Sequence, residues 1–157
     1  MEVGIVLSNS ELAQKLDALR DQKKIVFTNG CFDLLHIGHV KYLNEAKALG
    51  DILVVGINSD ASVKRLKGES RPIQKEEDRA YILSQLKAVD FVCLFEEDTP
   101  YNLIQSVSPH ILVKGGDWPV EKIVGADLVL KSGGEVKNLL FVENKSTSSI
   151  LEKILRL

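Results

Sequence analysis

Residues 24–58 read KIVFTNGCFDLLHIGHVKYLNEAKALGDILVVGIN, and the change of pattern along them decides the fold. KIVFT at 24–28 is short, apolar and β-branched, as is DILVVGIN at 51–58. Runs without polar alternation suit strands buried on both faces. Between them HVKYLNEAKALG, 39–50, follows a helical period and closes on Gly50, placed here as the helix C-cap. Strand, helix and strand in so short a span make a β-α-β unit, whose two strands run parallel.

The same alternation continues outward. Upstream, ELAQKLDALRDQ carries apolar residues at 12, 16 and 19 behind Ser10, so an amphipathic helix is expected over about 10–22 with Ser10 as N-cap. Downstream come a helix near 75–88, the strand FVCLF at 91–95, a helix after Pro100 and the strand HILVK at 110–114. A short helix over about 123–132 ends at Gly133-Gly134, the strand EVKNLLF follows, and a last helix starts near Ser146. Apolar strands alternating with helices predict an α/β fold, a Rossmann-like doubly wound parallel sheet with helices on both faces. Ligands of such sheets sit beyond the carboxyl ends of the strands, where the strand order reverses.

The chain has 157 residues, one domain's worth, so one domain over 1–157 is expected, with its N-terminal helix at about 10–22 and its core at 24–157. Hydrophobic residues at 45% and charged residues at 27% are ordinary for a globular protein. A net charge of -2 argues against a surface built for nucleic acid, which needs clustered, uncompensated Lys and Arg. No segment approaches the length of a membrane span, and the N-terminal apolar run lacks a basic flank. Cys31 and Cys93 stand far apart without metal-binding or disulfide spacing, which fits a reducing cytoplasm.

At the end of the first strand, TNGCFDLLHIGH, 28–39, gathers two histidines three apart around Gly38, where the next helix should begin. A helix N-terminus offers unpaired N–H groups and a positive dipole end, and imidazole N–H groups would add donors for an anion. Three readings follow from position and spacing: phosphate binding, histidines hydrogen-bonded within the structure, or half of a metal site with no further ligand in view. The phosphate-loop pattern GxxxxGK[ST] and the dinucleotide pattern GxGxxG are both absent.

GCFDLLHIGH resembles the signature of the cytidylyltransferase-like nucleotidyltransferases, in which the HxGH element binds a nucleotide triphosphate. KSTSSILEKI near the end of the chain is similar to the Ser/Thr-rich turn that opens their last helix. Within that superfamily, GINSDASVKRLKGESRPI, FEEDTP, ILVKGGDW, and GGEV followed by KSTSSI resemble the adenylyltransferase half of the bacterial ADP-heptose synthases, from about residue 24 onward. The resemblance implies transfer of AMP from ATP to D-glycero-D-manno-heptose 1-phosphate, giving ADP-heptose and pyrophosphate. A cytidylyltransferase acting on glycerol 3-phosphate or another phospho-alcohol, and a binding module without turnover, are the alternatives. It also implies Mg²⁺ as the companion of ATP, a separate sugar kinase to supply the acceptor, and a homodimer, with neither nucleic acid nor membrane as partner.

The reaction needs no general base, because a phosphate monoester is already largely anionic at neutral pH. It needs placement and neutralisation of two repelling anions. On the motif match, His36, His39, Lys67 and Arg79 are expected to be catalytic. Thr28, Asn29, Gly30, Phe32, Gly38, Lys114, Gly115, Ser146, Thr147 and Ser148 are expected to bind the nucleotide, and Asp33, Asp60, Asp117 and Trp118 the second substrate. No residue is assigned to a resident metal. Simpler roles stand beside these: Asp33 as a loop cap, Asp60 as a helix N-cap, Arg79 as an exposed helix residue near Glu76, Trp118 as a packed anchor, and Lys64, Arg65, Lys67 and Arg71 as a solvated charge run. The related cytidylyltransferases have an Arg and a Gly before the Ser/Thr turn, where this chain has Phe141 and Asn144 followed by Lys145. Asn144 can take the left-handed conformation such a turn would need.

Overall fold

The computed structural model describes residues 4–157. Its centre is the β-α-β unit: β2 (Ile25–Gly30), α2 (Ile37–Lys47) and β3 (Ile52–Asn58), preceded by β1 (Ile5–Val6) and α1 (Asn9–Asp17). After β3 come α3 (Asp60–Lys67), α4 (Glu76–Ser84), β4 (Phe91–Phe95), α5 (Tyr101–Val107) and β5 (Ile111–Gly115). A 3-10 turn at Val120–Lys122, α6 (Ala126–Lys131), β6 (Glu135–Leu139) and α7 (Thr147–Leu155) complete the chain. The six strands form one sheet in the order β1-β4-β3-β2-β5-β6, every pair parallel.

All seven residues of β3 are buried, so its continuous apolar run reflects cover on both faces rather than a helix-like period. Successive residues feed opposite layers. Phe27, Val54, Cys93 and Leu112 pack with α1, α5 and α6, while Val26, Val55, Val92 and Val113 pack with α2 and α4. Burying a Val, Leu, Ile or Phe side chain is worth about 1.5–3 kcal/mol each, which makes these two layers the main support of the sheet. The chain lays β3 and β4 on one side of β2, and β5 and β6 on the other. The crevice left at the carboxyl ends of β2 and β5 is where the side chains of interest converge.

Several local expectations are corrected. The cap of α1 is Ser8, not Ser10, and the helix ends at Asp17. Glu11 lies three residues beyond Ser8, and its carboxylate accepts from Ser8 N at 2.9 Å, closing a reciprocal capping box that Ser10 cannot make. Gly50 is not a left-handed C-cap, since Ala48 caps α2 in right-handed geometry. A Cβ on Gly50 would stand 2.7 Å from Val26 Cγ2 and 2.8 Å from Lys24 O, so close approach to β2 is what needs glycine there. The charged stretch after β3 forms α3, with Ser59 as its cap and Asp60 as its first residue. At the sheet edge, Ile5 and Val6 pair with Phe91 and Val92 as a short strand the sequence reading did not anticipate.

Candidate active site

A cleft of about 660 Å³ opens over the carboxyl ends of β2, β3 and β5. Asn29, Gly30, Phe32, His36, Gly38 and His39 line its floor; Lys67 stands on one flank, and Lys114, Gly115, Ser146, Thr147 and Ser148 on the other. The structure thus brings together most of the residues singled out from sequence, across more than a hundred positions of chain.

His36 is the N-cap of α2, with Nδ1 accepting from Gly38 N at 3.1 Å. His39 Nδ1 accepts from His36 N at 3.3 Å, and the two rings lie 3.9 Å apart at 32°. A nitrogen that accepts a backbone N–H carries no proton, so each neutral ring has its proton on Nε2. Burial is the main reason both histidines titrate below their usual range. The Lys145 charge adds to it at His36. His36 and Lys67 add to it at His39, which falls to about 4. At neutral pH the pair therefore presents two N–H donors rather than two cations. These donors sit beside the positive end of α2, an arrangement suited to developing negative charge.

Phe32 holds φ at 48°, and its ring stands 5.3 Å from that of His39, so this bend backs the histidine pair. Thr28 lies behind the floor, fully buried, with its hydroxyl 2.6 Å from Tyr42 OH and donating to Val113 O at 3.1 Å. It fixes the crevice between β2 and β5 and does not line the cleft.

On the α3 side the roles divide differently from the sequence reading. Arg79 is 1% exposed. It donates to the carbonyls of Cys31, Asn58 and Gln74 and to Asp60 Oδ1 at 2.7–3.0 Å. It is the buried tie between the ends of β2, β3 and α4, so neither it nor its partner Asp60 lines the cleft. Asp33 is 2% exposed and accepts from Arg71 Nε, Ile73 N and Gln74 N at 2.8–3.0 Å. Those donors hold its carboxyl below the usual range even though burial opposes them. Asp33 thus ties the loop after α3 to the histidine loop.

On the α7 side, Ser146 caps the helix, its Oγ accepting from Ser149 N at 3.0 Å, and Thr147 Oγ1 donates to Leu34 O at 2.9 Å. The Thr147 hydroxyl thus clamps α7 to the histidine loop. Asn144 adopts φ 58°, the left-handed turn expected of it. Phe141 lies across Gly115, where a Cβ would meet its ring at 2.6 Å. Asp117 and Trp118 are outside the cleft lining. Trp118 is half-exposed, its Nε1 donating to Gly115 O at 3.1 Å, so it is held to the turn by a hydrogen bond and is not the packed anchor that was the simpler expectation.

Tyr42, Asn58, Arg71, Phe141 and Lys145 line the cleft without having been assigned to it. Tyr42 follows His39 by one helical turn, a signal the sequence did carry. Lys145 was marked only by its proximity to the turn. Among the described residues no cluster of three or more His, Cys, Asp or Glu is placed to hold a metal. No helix among them is long and apolar enough to cross a membrane.

Residues 27–150 match the family model described as cytidylyltransferase-like. The chain is 60% identical over 133 residues to the bifunctional protein HldE of Citrifermentans bemidjiense, covering 85% of this chain and 27% of that one. It is 59% identical over 144 residues to the bifunctional protein HldE of Nitratiruptor sp., covering 92% and 30%. It therefore spans under a third of the length of these curated relatives. Among solved structures, a lipopolysaccharide core biosynthesis protein from Thermoplasma volcanium aligns with TM-score 0.62 and 36% identity, over 78% of this chain and 99% of that one. A pantoate-beta-alanine ligase from Francisella tularensis, at 17% identity and TM-score 0.58 over 98% and 80%, shares the fold.

Proposed function

We propose, from the premise that this chain belongs to the cytidylyltransferase-like family and is a nucleotidyltransferase, that it transfers AMP from ATP to D-glycero-D-manno-heptose 1-phosphate, releasing ADP-heptose and pyrophosphate. The observation that carries the reaction type is the histidine pair: both Nδ1 atoms accept backbone N–H groups, so both Nε2–H groups are free as donors at the N-terminus of α2. The substrate assignment is supported by the resemblance of the loops after β3 and β5 to the adenylyltransferase half of ADP-heptose synthases, and by relatives named HldE. That those relatives are longer and described as bifunctional supports a partner kinase activity that makes the sugar phosphate.

An oxygen of the acceptor phosphate attacks the α-phosphorus of ATP, the bond from that phosphorus to the bridging oxygen breaks, and pyrophosphate leaves with the electron pair. The attacking oxygen is already anionic, so no proton is removed from it. His36 and His39 donate to oxygens that gain charge, while Lys67 and Lys145 neutralise the phosphates from either side. Mg²⁺ would enter with the triphosphate and shield its charge. The cleft carboxylates are engaged, Asp33 with Arg71 and Asp98 with Arg65, which suits an ion held by phosphate oxygens and water.

The test is pyrophosphate release with Mg²⁺ from ATP and from CTP, each offered heptose 1-phosphate, glycerol 3-phosphate and phosphoethanolamine. Release confined to ATP with heptose 1-phosphate is expected. Release with CTP and another acceptor would overturn the substrate assignment, and no release from any pair would leave a binding module.

A further inference from the structure

Three arginines stand on the α3 side of the cleft, and they are not equivalent. Arg79 is enclosed by the partners given above. Arg65 donates to Asp98 and to Glu96 O. Arg71 differs, because the single partner of its side chain among the described residues is Asp33, reached through Nε at 2.8 Å. Its side chain is 14% exposed and lines the cleft, and among the described residues no buried side-chain nitrogen or oxygen is left unpaired. The two Nη groups therefore open onto solvent on the cleft side. A guanidinium gripped at Nε by a buried carboxylate has little rotamer freedom left to lose and presents its remaining N–H groups as a fork, the geometry that matches a phosphate.

Position separates this fork from the nucleotide side. Lys145 lies against the start of α2, its Cβ 3.4 Å from where a Cβ on Gly38 would stand, whereas Lys67 enters the cleft from the end of α3, on the β3 side. Beyond Lys145 lie the Phe141 ring, Gly115 and the start of α7, an apolar surface with a helix N-terminus that suits a base and its phosphates. On the β3 side Arg71 and Asn58 line the cleft together with Lys67. In-line transfer needs the second anion to approach from the side opposite the departing one, so a second cationic seat is required.

We propose that Arg71 is the residue that grips the phosphomonoester of the acceptor, with Asp33 as the positioning residue that aims it. This rests on the adenylyltransferase reading above and adds which residue selects a phosphorylated acceptor.

The experiment varies each substrate at saturation of the other for wild type, Arg71→Gln, Arg71→Lys and Asp33→Asn. For Arg71→Gln, KM for heptose 1-phosphate is expected to rise about 10-fold or more, as for a lost charge-assisted bond. KM for ATP should stay within about twofold, which also reports an intact fold. Arg71→Lys should recover part of the loss, since it restores charge without the fork. Asp33→Asn should raise KM for the acceptor more than KM for ATP, a split that general loosening of the loop would not give. An unchanged acceptor KM in Arg71→Gln, or an ATP KM that rises as much, overturns the proposal. Should wild type release no pyrophosphate from this pair, the adenylyltransferase reading fails by itself. Calorimetric titration of ATP-loaded protein with inorganic phosphate then decides for Arg71: binding to wild type that Arg71→Gln loses supports it, and equal or absent binding overturns it.

Discussion

Replacing Gly38 by Ala tests whether the place of the His36 ring, rather than its presence, sustains turnover. Gly38 is buried in the first turn of α2. A Cβ there would lie 2.8 Å from His36 Cε1 and 2.9 Å from Nδ1, against an ordinary contact of 3.4 Å or more. The ring must therefore retreat by about 0.5 Å, loosening its bond to Gly38 N. Two effects on stability oppose each other: a weakened cap costs about 1 kcal/mol, and Ala in place of a helical Gly gains about 1 kcal/mol. The net change in unfolding free energy should be close to zero. Catalysis has no such offset, because a donor displaced by a fraction of an ångström from developing charge loses most of its value. A loss of about 2.7 kcal/mol, roughly 100-fold in kcat, is expected. The assay pairs initial rates of pyrophosphate release at saturating ATP and heptose 1-phosphate with urea unfolding of the same preparation. A kcat within about threefold of wild type would show that the place of the ring does not matter, and destabilisation beyond about 2 kcal/mol would contradict the expected balance, since the rate would then report unfolding.

Three further outcomes follow from the same geometry. His39 titrates at about 4 in the free protein because of burial and its His36 and Lys67 neighbours, and a bound triphosphate should raise that value by opposite charge. ATP binding at pH 5.5–6 should then take up protons and at pH 8 should not, as read by calorimetry in buffers of different ionisation enthalpy; equal enthalpies at the lower pH contradict this. Folding stability changes with pH in the same direction. A histidine that titrates lower when folded binds fewer protons than its unfolded form between pH 6.5 and about 4. The urea midpoint should therefore fall as pH is lowered through that window and stay flat above it. Arg79→Met should destabilise by about 3–5 kcal/mol, because it strands Asp60 and three carbonyls. Wild-type stability with a selective rise in KM for ATP would instead return Arg79 to the phosphates, where the sequence reading had it.

The β-α-β unit was legible because a strand covered on both faces leaves a continuous apolar run, and the β-branched run over 52–58 is too short for a buried helix. The histidine loop was legible because its residues are local: the helix that positions His36 and His39 starts between them. What misled was direction. Nothing in EEDRAYIL says that Arg79 turns inward to partners at 31, 58 and 60, nor that Asp33 meets a loop some forty residues away. Those pairings are fixed by the tertiary fold, and a charged residue reads the same in sequence whether it faces a ligand or a buried carbonyl. The same limit hid Arg71, whose distinction lies in its buried partner rather than in its place in a charge run. Gly50 was misread for a related reason, since a glycine required by close packing and one required by a left-handed turn look alike until their neighbours are known.

In the proposed reaction the acceptor's phosphate oxygen attacks the α-phosphorus of ATP in this cleft. Its most direct test supplies heptose 1-phosphate labelled with ¹⁸O in the phosphate, together with unlabelled ATP and Mg²⁺, and weighs both products by mass spectrometry. All of the label should appear in ADP-heptose and none in pyrophosphate. Label in pyrophosphate, or AMP released without a labelled sugar nucleotide, would contradict it.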